Sequence, residues 1–452
     1  MARITLGQAA AWCGGYVAPE FAQVSFAGAN IDSRKIENGQ LFVALEGVRD
    51  GHDFIDAAMK KGAVAVLGKR APAGVPLLVT EDARVALGRI AAGYRQASGM
   101  QVVGVTGSVG KSTTKEMVAC VLDGDYIVSK TPANFNNDLG MPMAILAMPE
   151  DTQVAVLEMG MSHFGEIAYL SGIARPDAAV IINVGTMHME NLGSPEGVLQ
   201  AKLEILEGMG PDAKAFFCGD SPMLWSARET LQRPVTWFGA DNPACQVRAS
   251  QICLDDGVSF RVSSEAGAFN LALALEGRHY VTDALAAVAV GLAFGVTPER
   301  IAHRLGTFRN MAGRQEIFNA KGFHIIRDCY NAGPESMAAA LAVLGRRSGR
   351  RIAVLGDMLE LGAVEQEAHR TVGRIASENA DAVLAYGPLS RFVQEGAGEK
   401  CRTFTDREAM AEALRSLARP GDTLLFKGSH GMHMEIVLDL FLEVPFGDTI
   451  EL

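Results

Sequence analysis

The sequence predicts an α/β fold divided into three domains, and three observations lead to that prediction. The chain has 452 residues, which is too long for a single hydrophobic core. Short apolar runs typical of strands alternate with segments of helical periodicity, the pattern of parallel sheets covered by helices. One of these strands runs directly into a glycine-rich loop. We expect a small N-terminal α/β domain at 1–98, a central P-loop ATPase-type parallel sheet at 99–312 and a C-terminal Rossmann-like open sheet at 313–452.

The alternating patterns also give the order of elements within each domain. The predicted strands lie at 41–45, 63–67, 154–159, 178–184, 215–218, 324–327, 351–355, 382–386 and 423–426, with antiparallel strands inside 245–275. The predicted helices include 56–61, 196–207 and 280–294. A polar stretch at 97–99 is predicted to link the first two domains.

Composition and charge narrow the class of protein. Apolar residues make up 48% of the chain and charged residues 21%, which is ordinary for a folded globular protein. No apolar run reaches the roughly 20 residues of a membrane helix, and the N-terminus lacks the apolar core of a signal peptide. The net charge of −11 counts against a nucleic-acid surface, and seven scattered cysteines without a C-x-x-C pair fit a reducing compartment. We expect a cytoplasmic monomer with no nucleic-acid or membrane partner.

The most informative stretch is 101–116, which reads QVVGVTGSVGKSTTKE. Glycines after the strand let backbone N–H groups approach phosphate oxygens, Lys111 would reach the terminal phosphates, and the Ser112 hydroxyl would ligate magnesium. Val105 stands where the usual spacing has glycine, and a glycine-rich turn that binds nothing is the alternative. We predict nucleotide binding by the loop residues Thr106, Gly107, Ser108, Val109, Gly110, Lys111, Ser112 and Thr113.

Polar residues follow the predicted strands of the central domain. Glu158 ends one apolar strand, Asn183 ends the next, and His188 comes shortly afterwards. Because ligands gather at the C-terminal ends of parallel strands, a carboxylate there beside a phosphate loop is typical of a magnesium ligand. Taken alone, His188 could be a metal ligand or a hydrogen-bonded core histidine. Lys202, taken alone on its helix, would be read as solvated.

The motifs in the first and third domains indicate a function less clearly than those in the central domain. Ser33 and Arg34, beside a predicted turn, could bind a phosphate or lie in a solvated turn. Gly356 and Gly362 stand in VLGDMLELG, but their spacing is not that of a dinucleotide-binding loop. We therefore expect no NAD site in the third domain.

Together these motifs resemble those of the Mur ligases over essentially the whole chain. The segments that carry the resemblance are DSRKIENGQLFVALEGVRDGHDFI, VTGSVGKSTTKEM, TPANFNNDLGMP, LEMGMSHFGEI, NVGTMHMENLGSPEGVLQAKLEIL, AGRQE, DCYNAGPESM, GDMLELG and KGSHGMHME. The NFNN and DCYNAGPESM segments are typical of the members that add D-alanyl-D-alanine. The DNPR signature of the diaminopimelate- or lysine-adding members is absent.

The resemblance implies an ATP-dependent ligase with magnesium as its cofactor. In the family reaction, the carboxylate of UDP-N-acetylmuramoyl-tripeptide attacks the γ-phosphate of ATP, and the D-alanyl-D-alanine amine then attacks the acyl phosphate. Two kinds of alternative share parts of the pattern. Other ligases, such as the amino-acid-adding tripeptide synthetase or folylpolyglutamate synthetase, form the first kind, although the second of these lacks the first domain's DSR and GHDF segments. A non-catalytic sugar-nucleotide sensor is the second kind, and it would not need a phosphoryl-transfer site.

The resemblance also implies roles for individual residues. Lys111 would hold the terminal phosphates, while Ser112 and Glu158 would bind one magnesium ion. His188 would support a second ion together with Lys202, carbamylated so that it offers an anionic oxygen. The implied catalytic residues are Lys111, His188, Lys202 and Arg314, the last reaching the phosphates from the domain junction. Further nucleotide contacts are implied at His279, Asp283, Asp328 and Asn331, and contacts to the UDP-sugar-peptide at Ser33, Arg34, Asn134, Asn136 and Asn137.

Several positions depart from the usual pattern of the family. Val109 replaces a commonly polar loop residue, and Ala133 stands where glycine is frequent. Asp283 occupies a position where asparagine usually lies against the adenine, which weakens the expectation of that contact. His430 and His433 stand where arginines are common, which weakens the expectation that their loop binds the dipeptide.

Overall fold

The computed structural model describes residues 3–255 and 257–443. It contains α/β units built around separate sheets, and the predicted three-domain α/β fold class is confirmed. Within these described ranges, no helix is long and apolar enough to cross a membrane.

The first unit is a small mixed sheet with helices packed on it. Its strands are β1 (Ile4–Thr5), β2 (Tyr16–Val17), β3 (Ser25–Phe26), β4 (Ala29–Asn30), β5 (Leu41–Val43), β6 (Ala65–Gly68) and β7 (Leu77–Val79). Its helices are α1 (Leu6–Cys13), α2 (Ile55–Lys61) and α3 (Ala83–Ser98). The sheet has the order β2-β7-β6-β5-β4, and β1 pairs separately with β3. The last helix, α3, begins where Asp82 accepts hydrogen bonds from the backbone N–H groups of Arg84 and Val85.

The central unit is a larger sheet with helices on both faces. Its strands are β8 (Gln101–Thr106), β9 (Val128–Lys130), β10 (Val154–Glu158), β11 (Ala178–Ile181), β12 (Lys214–Cys218), β13 (Val235–Gly239), β14 (Val247–Cys253), β15 (Val258–Ser264) and β16 (Gly267–Leu273). Its helices are α4 (Lys111–Leu122), α5 (Gly140–Leu146), α6 (Glu166–Ala174), α7 (Met189–Leu192), α8 (Pro195–Leu203), α9 (Pro222–Ser226), α10 (His279–Ala293) and α11 (Pro298–Thr307). The order β16-β15-β14-β13-β12-β11-β8-β10-β9 is parallel from β9 to β14 and antiparallel beyond it.

The third unit is an open sheet. Its strands are β17 (Glu316–Ala320), β18 (Phe323–Asp328), β19 (Arg351–Gly356), β20 (Ala382–Tyr386), β21 (Cys401–Phe404) and β22 (Thr423–Lys427). Its helices are α12 (Pro334–Gly345), α13 (Glu365–Asn379), α14 (Ser390–Ala397), α15 (Arg407–Leu417) and α16 (Met434–Leu442). The order is β17-β18-β22-β19-β20-β21, with β17 antiparallel to β18 and the remaining pairs parallel.

The register of the central sheet brings the predicted site residues together. Strand β8 lies between β10 and β11, with Glu158 opposite Val105 and Ile181 opposite Thr106. The C-terminal ends of the three strands therefore meet at one edge of the sheet. Since β8 leads into the phosphate loop, that loop lies beside the residues that end its two neighbours.

Several sequence predictions differ from the structure in detail. The strand predicted at 41–45 ends at Val43, and the strand predicted at 63–67 spans Ala65–Gly68. The strand predicted at 178–184 ends at Ile181, because the chain then turns so that Asn183 contacts the phosphate loop. The helix predicted at 196–207 changes to a 3-10 turn after Leu203. The stretch at 97–99 is not a free linker, since α3 extends to Ser98 and packs against α5 and α6 of the central unit. The predicted domain boundaries themselves stay predictions.

The packing of α3 gives a direct test of the fold. A Cβ atom on Gly93 of α3 would overlap the ring of Trp12 in α1. We expect Gly93→Ala to destabilise the protein by about 1–3 kcal/mol through overpacking, measured as a lower melting temperature. The matched control is Gly172→Ala in α6, where a Cβ atom meets nothing within 4 Å. That change should stabilise by about 0.5–1 kcal/mol. Equal melting temperatures for the two variants would contradict the packing described.

Candidate active site

The phosphate loop joins β8 to α4 and is supported by Asn183. The Asn183 side chain accepts hydrogen bonds from the backbone N–H groups of Ser108 and Val109, both at 2.9 Å, and donates to the Val109 carbonyl oxygen at 2.9 Å. Gly110 has a φ of 87°, a conformation that favours glycine, and it precedes α4 without a side-chain cap. Uncapped N–H groups at a helix start are the arrangement that binds a phosphate.

Lys111 lies against this loop rather than in solvent. Its Nζ donates to the carbonyl oxygens of Gly107 at 2.9 Å and Ser108 at 3.2 Å. Burial lowers the pKa of its ammonium group, an effect that Glu158 opposes and Arg314 reinforces. A bound phosphate would offer this cation a stronger partner than two carbonyl oxygens.

The predicted metal ligands Ser112 and Glu158 are in contact. The Ser112 hydroxyl donates to Glu158 Oε2 at 2.8 Å, and Asn136 donates to Oε1 at 2.9 Å. Arg314 donates to the same Ser112 oxygen at 2.9 Å. Glu158 is only 3% exposed, so these partners offset the cost of burying its carboxylate. Such hard oxygen donors are the kind that magnesium accepts, with waters and phosphate oxygens completing its shell.

His188 and Lys202 are both largely removed from water. Nδ1 of His188 lies 2.9 Å from Glu360 Oε2, but the two are not aligned for a hydrogen bond, and Nδ1 is buried without a partner. Burial, and then the charges of Lys111 and Lys202, lower the pKa of His188 to about 4. A neutral imidazole with an unpartnered buried nitrogen suits a metal ligand.

The expectation that Lys202 alone would be solvated is wrong. Its side chain is fully inside the protein, with 1% of the residue exposed. Burial, reinforced by the charge of Lys111, lowers the pKa of its ammonium group well below the usual value. The neutral amine is the form that reacts with carbon dioxide, so the position is chemically suited to a carbamate. Among the described residues, no group of three or more His, Cys, Asp or Glu side chains is arranged to hold a metal ion.

The third unit contributes Arg314 and its neighbours to the opposite wall. The Arg314 guanidinium lies 3.8 Å from the centre of the Tyr330 ring, a cation–π contact. Asp328 accepts a hydrogen bond from Lys427 Nζ at 2.6 Å, and the same ammonium donates to the Asn331 carbonyl at 2.9 Å. Sequence reasoning missed Tyr330 and Lys427, although both stand in segments that carried the family resemblance, DCYNAGPESM and KGSHGMHME.

His279 and Asp283 lie at the start of α10, beside the phosphate loop. Burial lowers the pKa of His279 to about 4, so the ring is neutral. Asp283 Oδ1 accepts a hydrogen bond from Thr114 Oγ1 at 3.0 Å, and a Cβ atom on Gly110 would lie 2.6 Å from the same oxygen. Burial raises the pKa of the Asp283 carboxyl to about 7. This acid therefore faces the phosphate loop in a partly protonated state near neutral pH.

The asparagine loop follows β9 and borders the same space. Ala133 has a φ of 44°, which explains why glycine suits that position, and Asn136 reaches Glu158 as described above. Asn137 instead caps α5, accepting from the Gly140 N–H at 2.7 Å. These asparagines and most other predicted residues line one cleft of about 760 Å³ between the central and third units: Ser108, Val109, Gly110, Lys111, Ser112, Thr113, Asn134, Asn136, Asn137, Glu158, His188, His279, Asp283, Arg314, Asp328 and Asn331.

A few predicted residues are not part of the cleft lining. Thr106, Gly107 and Lys202 lie behind it, and Ser33 and Arg34 lie in the first unit. Arg34 is exposed and pairs with Asp32 at 2.9 Å, so its phosphate contact stays a prediction.

The two histidines that replace arginines lie beyond the third-unit wall of the cleft. His430 is exposed, with its ring centre 5.8 Å from that of Tyr330, and His433 pairs with Glu435 at 3.0 Å.

A cleft walled by two sheets, one supplying a phosphate loop and the other polar groups that face it, is the architecture of a multidomain ATP-dependent ligase. The chain belongs to the Mur ligase family. The model of the Mur ligase middle domain matches residues 105–291, that of the Mur ligase glutamate ligase domain matches 313–430, and that of the Mur ligase family catalytic domain matches 25–95.

Individual relatives align over most of the chain. UDP-N-acetylmuramoyl-tripeptide–D-alanyl-D-alanine ligase of Bacillus subtilis (strain 168) is 40% identical over 94% of this chain and 95% of its own length. The enzyme of that name from Escherichia coli (strain K12) is 36% identical over 92% and 94% of the two chains. MurF from Acinetobacter baumannii has a TM-score of 0.91 at 32% identity, covering 98% of this chain and 99% of that one. MurF ligase from Thermotoga maritima in complex with ADP has a TM-score of 0.83 at 30% identity, with coverages of 92% and 97%.

A further comparison bears on one of the alternatives. Folylpolyglutamate synthase of Mycobacterium tuberculosis has a TM-score of 0.64 but only 14% identity, and it covers 79% of this chain. At that identity the likeness shows a shared fold alone.

The raised pKa of Asp283 predicts a pH-dependent stability. The folded state keeps the proton up to about pH 7, whereas an unfolded aspartate loses it near 3.8, so stability falls as the pH rises between these values. Asp283→Asn removes that penalty. Its stability gain over the parent should grow by about 2–3 kcal/mol between pH 5 and pH 8, followed as melting temperatures. Asp212→Asn, at an exposed position, is the control. A gain that is the same at both pH values would contradict the assignment.

Proposed function

We propose that this protein joins D-alanyl-D-alanine to UDP-N-acetylmuramoyl-tripeptide, forming the pentapeptide product, ADP and phosphate in peptidoglycan precursor synthesis. The observation that carries the proposal is the hydrogen-bonded row from Ser112 through Glu158 to Asn136, which links the phosphate loop to the asparagine loop inside one cleft. Relatives named for this activity align with more than nine-tenths of the chain and support it.

The first chemical step transfers a phosphoryl group. An oxygen of the tripeptide carboxylate bonds to the γ-phosphorus of ATP as the bond to the bridging oxygen of ADP breaks. Lys111 and Arg314 are proposed to neutralise charge on the transferring group, because both cations border the loop and lie in the cleft. Magnesium, when held by Ser112 and Glu158, supplies further charge neutralisation at the phosphates.

The second step forms the amide bond. The dipeptide amine bonds to the acyl carbon, a tetrahedral intermediate forms, and phosphate leaves as the amine gives up a proton. The protein's contribution is positioning, because the two reactants must be held together in a site shielded from water. The third unit closes one side of the cleft with Asp328 and Asn331, which we propose as nucleotide contacts.

The setting follows from these substrates. ATP and a sugar nucleotide are found in the cytoplasm, and we place the protein there. Among the described residues every cysteine is free, which agrees with a reducing compartment. That the protein acts as a monomer stays a prediction.

Phosphate release tests the proposed function. Release from ATP should require magnesium, UDP-N-acetylmuramoyl-tripeptide and D-alanyl-D-alanine together, because transfer needs the carboxylate and turnover needs the amine. The measurement is phosphate formed in reactions that each omit one component. Lys111→Met should abolish release, while Lys60→Met, at an exposed position of the first unit, should not. Equal release with the nucleotide-linked peptide omitted would identify a simple ATPase instead.

Substitution of Lys202 tests the carbamate. If the modified side chain holds a metal ion, Lys202→Ala should lower turnover by about 100-fold or more, because charge in the transition state goes unbalanced. ATP affinity should change little, and the melting temperature is measured beside turnover because truncating this buried side chain leaves a cavity. Lys202→Arg should not restore activity, since a guanidinium cannot take up carbon dioxide, whereas added short carboxylates should partly rescue Lys202→Ala. Lys60→Ala is the control. Near-parental turnover in both Lys202 variants would exclude the carbamate.

A further inference from the structure

Two carboxylates of the third unit contact one loop of the central unit. This loop, at 183–188, follows β11 and leads into α7. Glu335 Oε1, in the first turn of α12, accepts hydrogen bonds from the Thr186 N–H at 3.0 Å and from Thr186 Oγ1 at 3.1 Å. Further along the loop, Glu360 Oε2 lies 2.9 Å from His188 Nδ1. The third unit therefore docks on the central unit mainly through acidic side chains at this point.

The same loop is fixed to the phosphate loop from its other side. The Gly185 N–H donates to Ser108 Oγ at 2.8 Å, and Asn183 accepts from the N–H groups of Ser108 and Val109. A Cβ atom on Gly185 would lie 2.8 Å from Glu335 Oε1 and 3.2 Å from Ser108 Cβ. A side chain at this position would therefore push the Glu335 carboxylate away from the loop. A single residue thus separates the phosphate loop from the carboxylate of the third unit.

We propose that Glu335 is a positioning residue, which holds the third unit against the phosphate loop through Gly185 and Thr186. Asp328, Asn331 and Glu335 belong to one segment running from the end of β18 into α12, and all three line the cleft. Fixing Glu335 on the central unit therefore sets the distance from the nucleotide to the other two. The inference rests on the proposed function, because it assigns these groups to the ATP side of the reaction.

The proposed role requires an acceptor oxygen and not a base. Both hydrogen bonds to Glu335 come from donors on Thr186, and the side-chain oxygen of a glutamine can accept both of them. Glu335→Gln should therefore keep most of the activity. Glu335→Ala, which removes the acceptor, should lower kcat/KM for ATP by about 2- to 10-fold, the range for a hydrogen bond that is exposed to solvent. A general base would behave differently, since glutamine cannot take a proton.

The experiment compares Glu335→Ala, Glu335→Gln, Thr186→Val and the double variant Glu335→Ala with Thr186→Val. The control is Glu378→Ala, at an exposed position on α13 of the same unit. We expect KM for UDP-N-acetylmuramoyl-tripeptide to stay within about twofold of the parent, because its predicted contacts belong to the first and central units, which Glu335 does not position. We expect the double variant to be no worse than Glu335→Ala, because both changes break one contact. With a non-hydrolysable ATP analogue and magnesium, small-angle scattering should give Glu335→Ala a larger radius of gyration than the parent or Glu378→Ala.

Three results would overturn the proposal. If Glu335→Gln lowers kcat/KM as much as Glu335→Ala and also shifts the pH–rate profile, Glu335 acts as an acid–base group. Additive losses in the double variant would show that the two residues act separately. If Glu335→Ala has the kcat/KM and the radius of gyration of the parent, the contact does not position the third unit. A parent protein that forms no pentapeptide product would refute the proposed function instead, and the scattering comparison would still decide the docking role.

Discussion

The cleft depends on one buried carboxylate, that of Glu158. Its two oxygens accept hydrogen bonds from Ser112 on α4 and Asn136 on the asparagine loop, and its backbone N–H donates to Thr131 Oγ1 at 3.0 Å. A carboxylate buried without these partners would cost several kcal/mol. Three elements distant in the sequence are therefore held in one arrangement. The phosphate loop and the asparagine loop cannot shift independently without leaving this charge unsatisfied.

Among the described residues, the cleft lining brings the cations Lys111, Arg314 and Lys427 together with seven carboxyl groups, in a protein whose net charge is −11. Burial lowers the pKa of Lys111 beside the phosphate loop, and Arg314 and Lys427 also line the cleft. Holding cations in a poorly solvated site is unfavourable until an anion arrives. A triphosphate would relieve this cost. The same groups would then stabilise the charge that moves from ATP to the acyl phosphate, with little rearrangement during the reaction.

The sequence was most informative where function follows from a local pattern. The phosphate loop and Glu158 could be placed because each directly follows a predicted strand, and the parallel order of strands brings them together. The sequence did not predict contacts between segments that are far apart in the chain. Lys427 and Asp328 are 99 residues apart, and the partner of Asp283 is Thr114, 169 residues away. The burial of Lys202 could not be read from its helix either, because periodicity does not tell which neighbours cover a face.

Most buried side chains of the first and central units form one continuous core, from Ile4 to Phe308, beside a smaller cluster within the first unit, whereas those of the third unit cluster apart from it. The described residues thus form three main sheets but two separately packed parts, joined at 309–315, where Gly313 and Gln315 have positive φ values. A compound wedged into that junction would stop the enzyme without resembling ATP, the sugar nucleotide or the dipeptide. High concentrations of those substrates would not displace it by direct competition, and escape mutations at Arg314, which lies in the same junction and lines the cleft, would also impair the reaction.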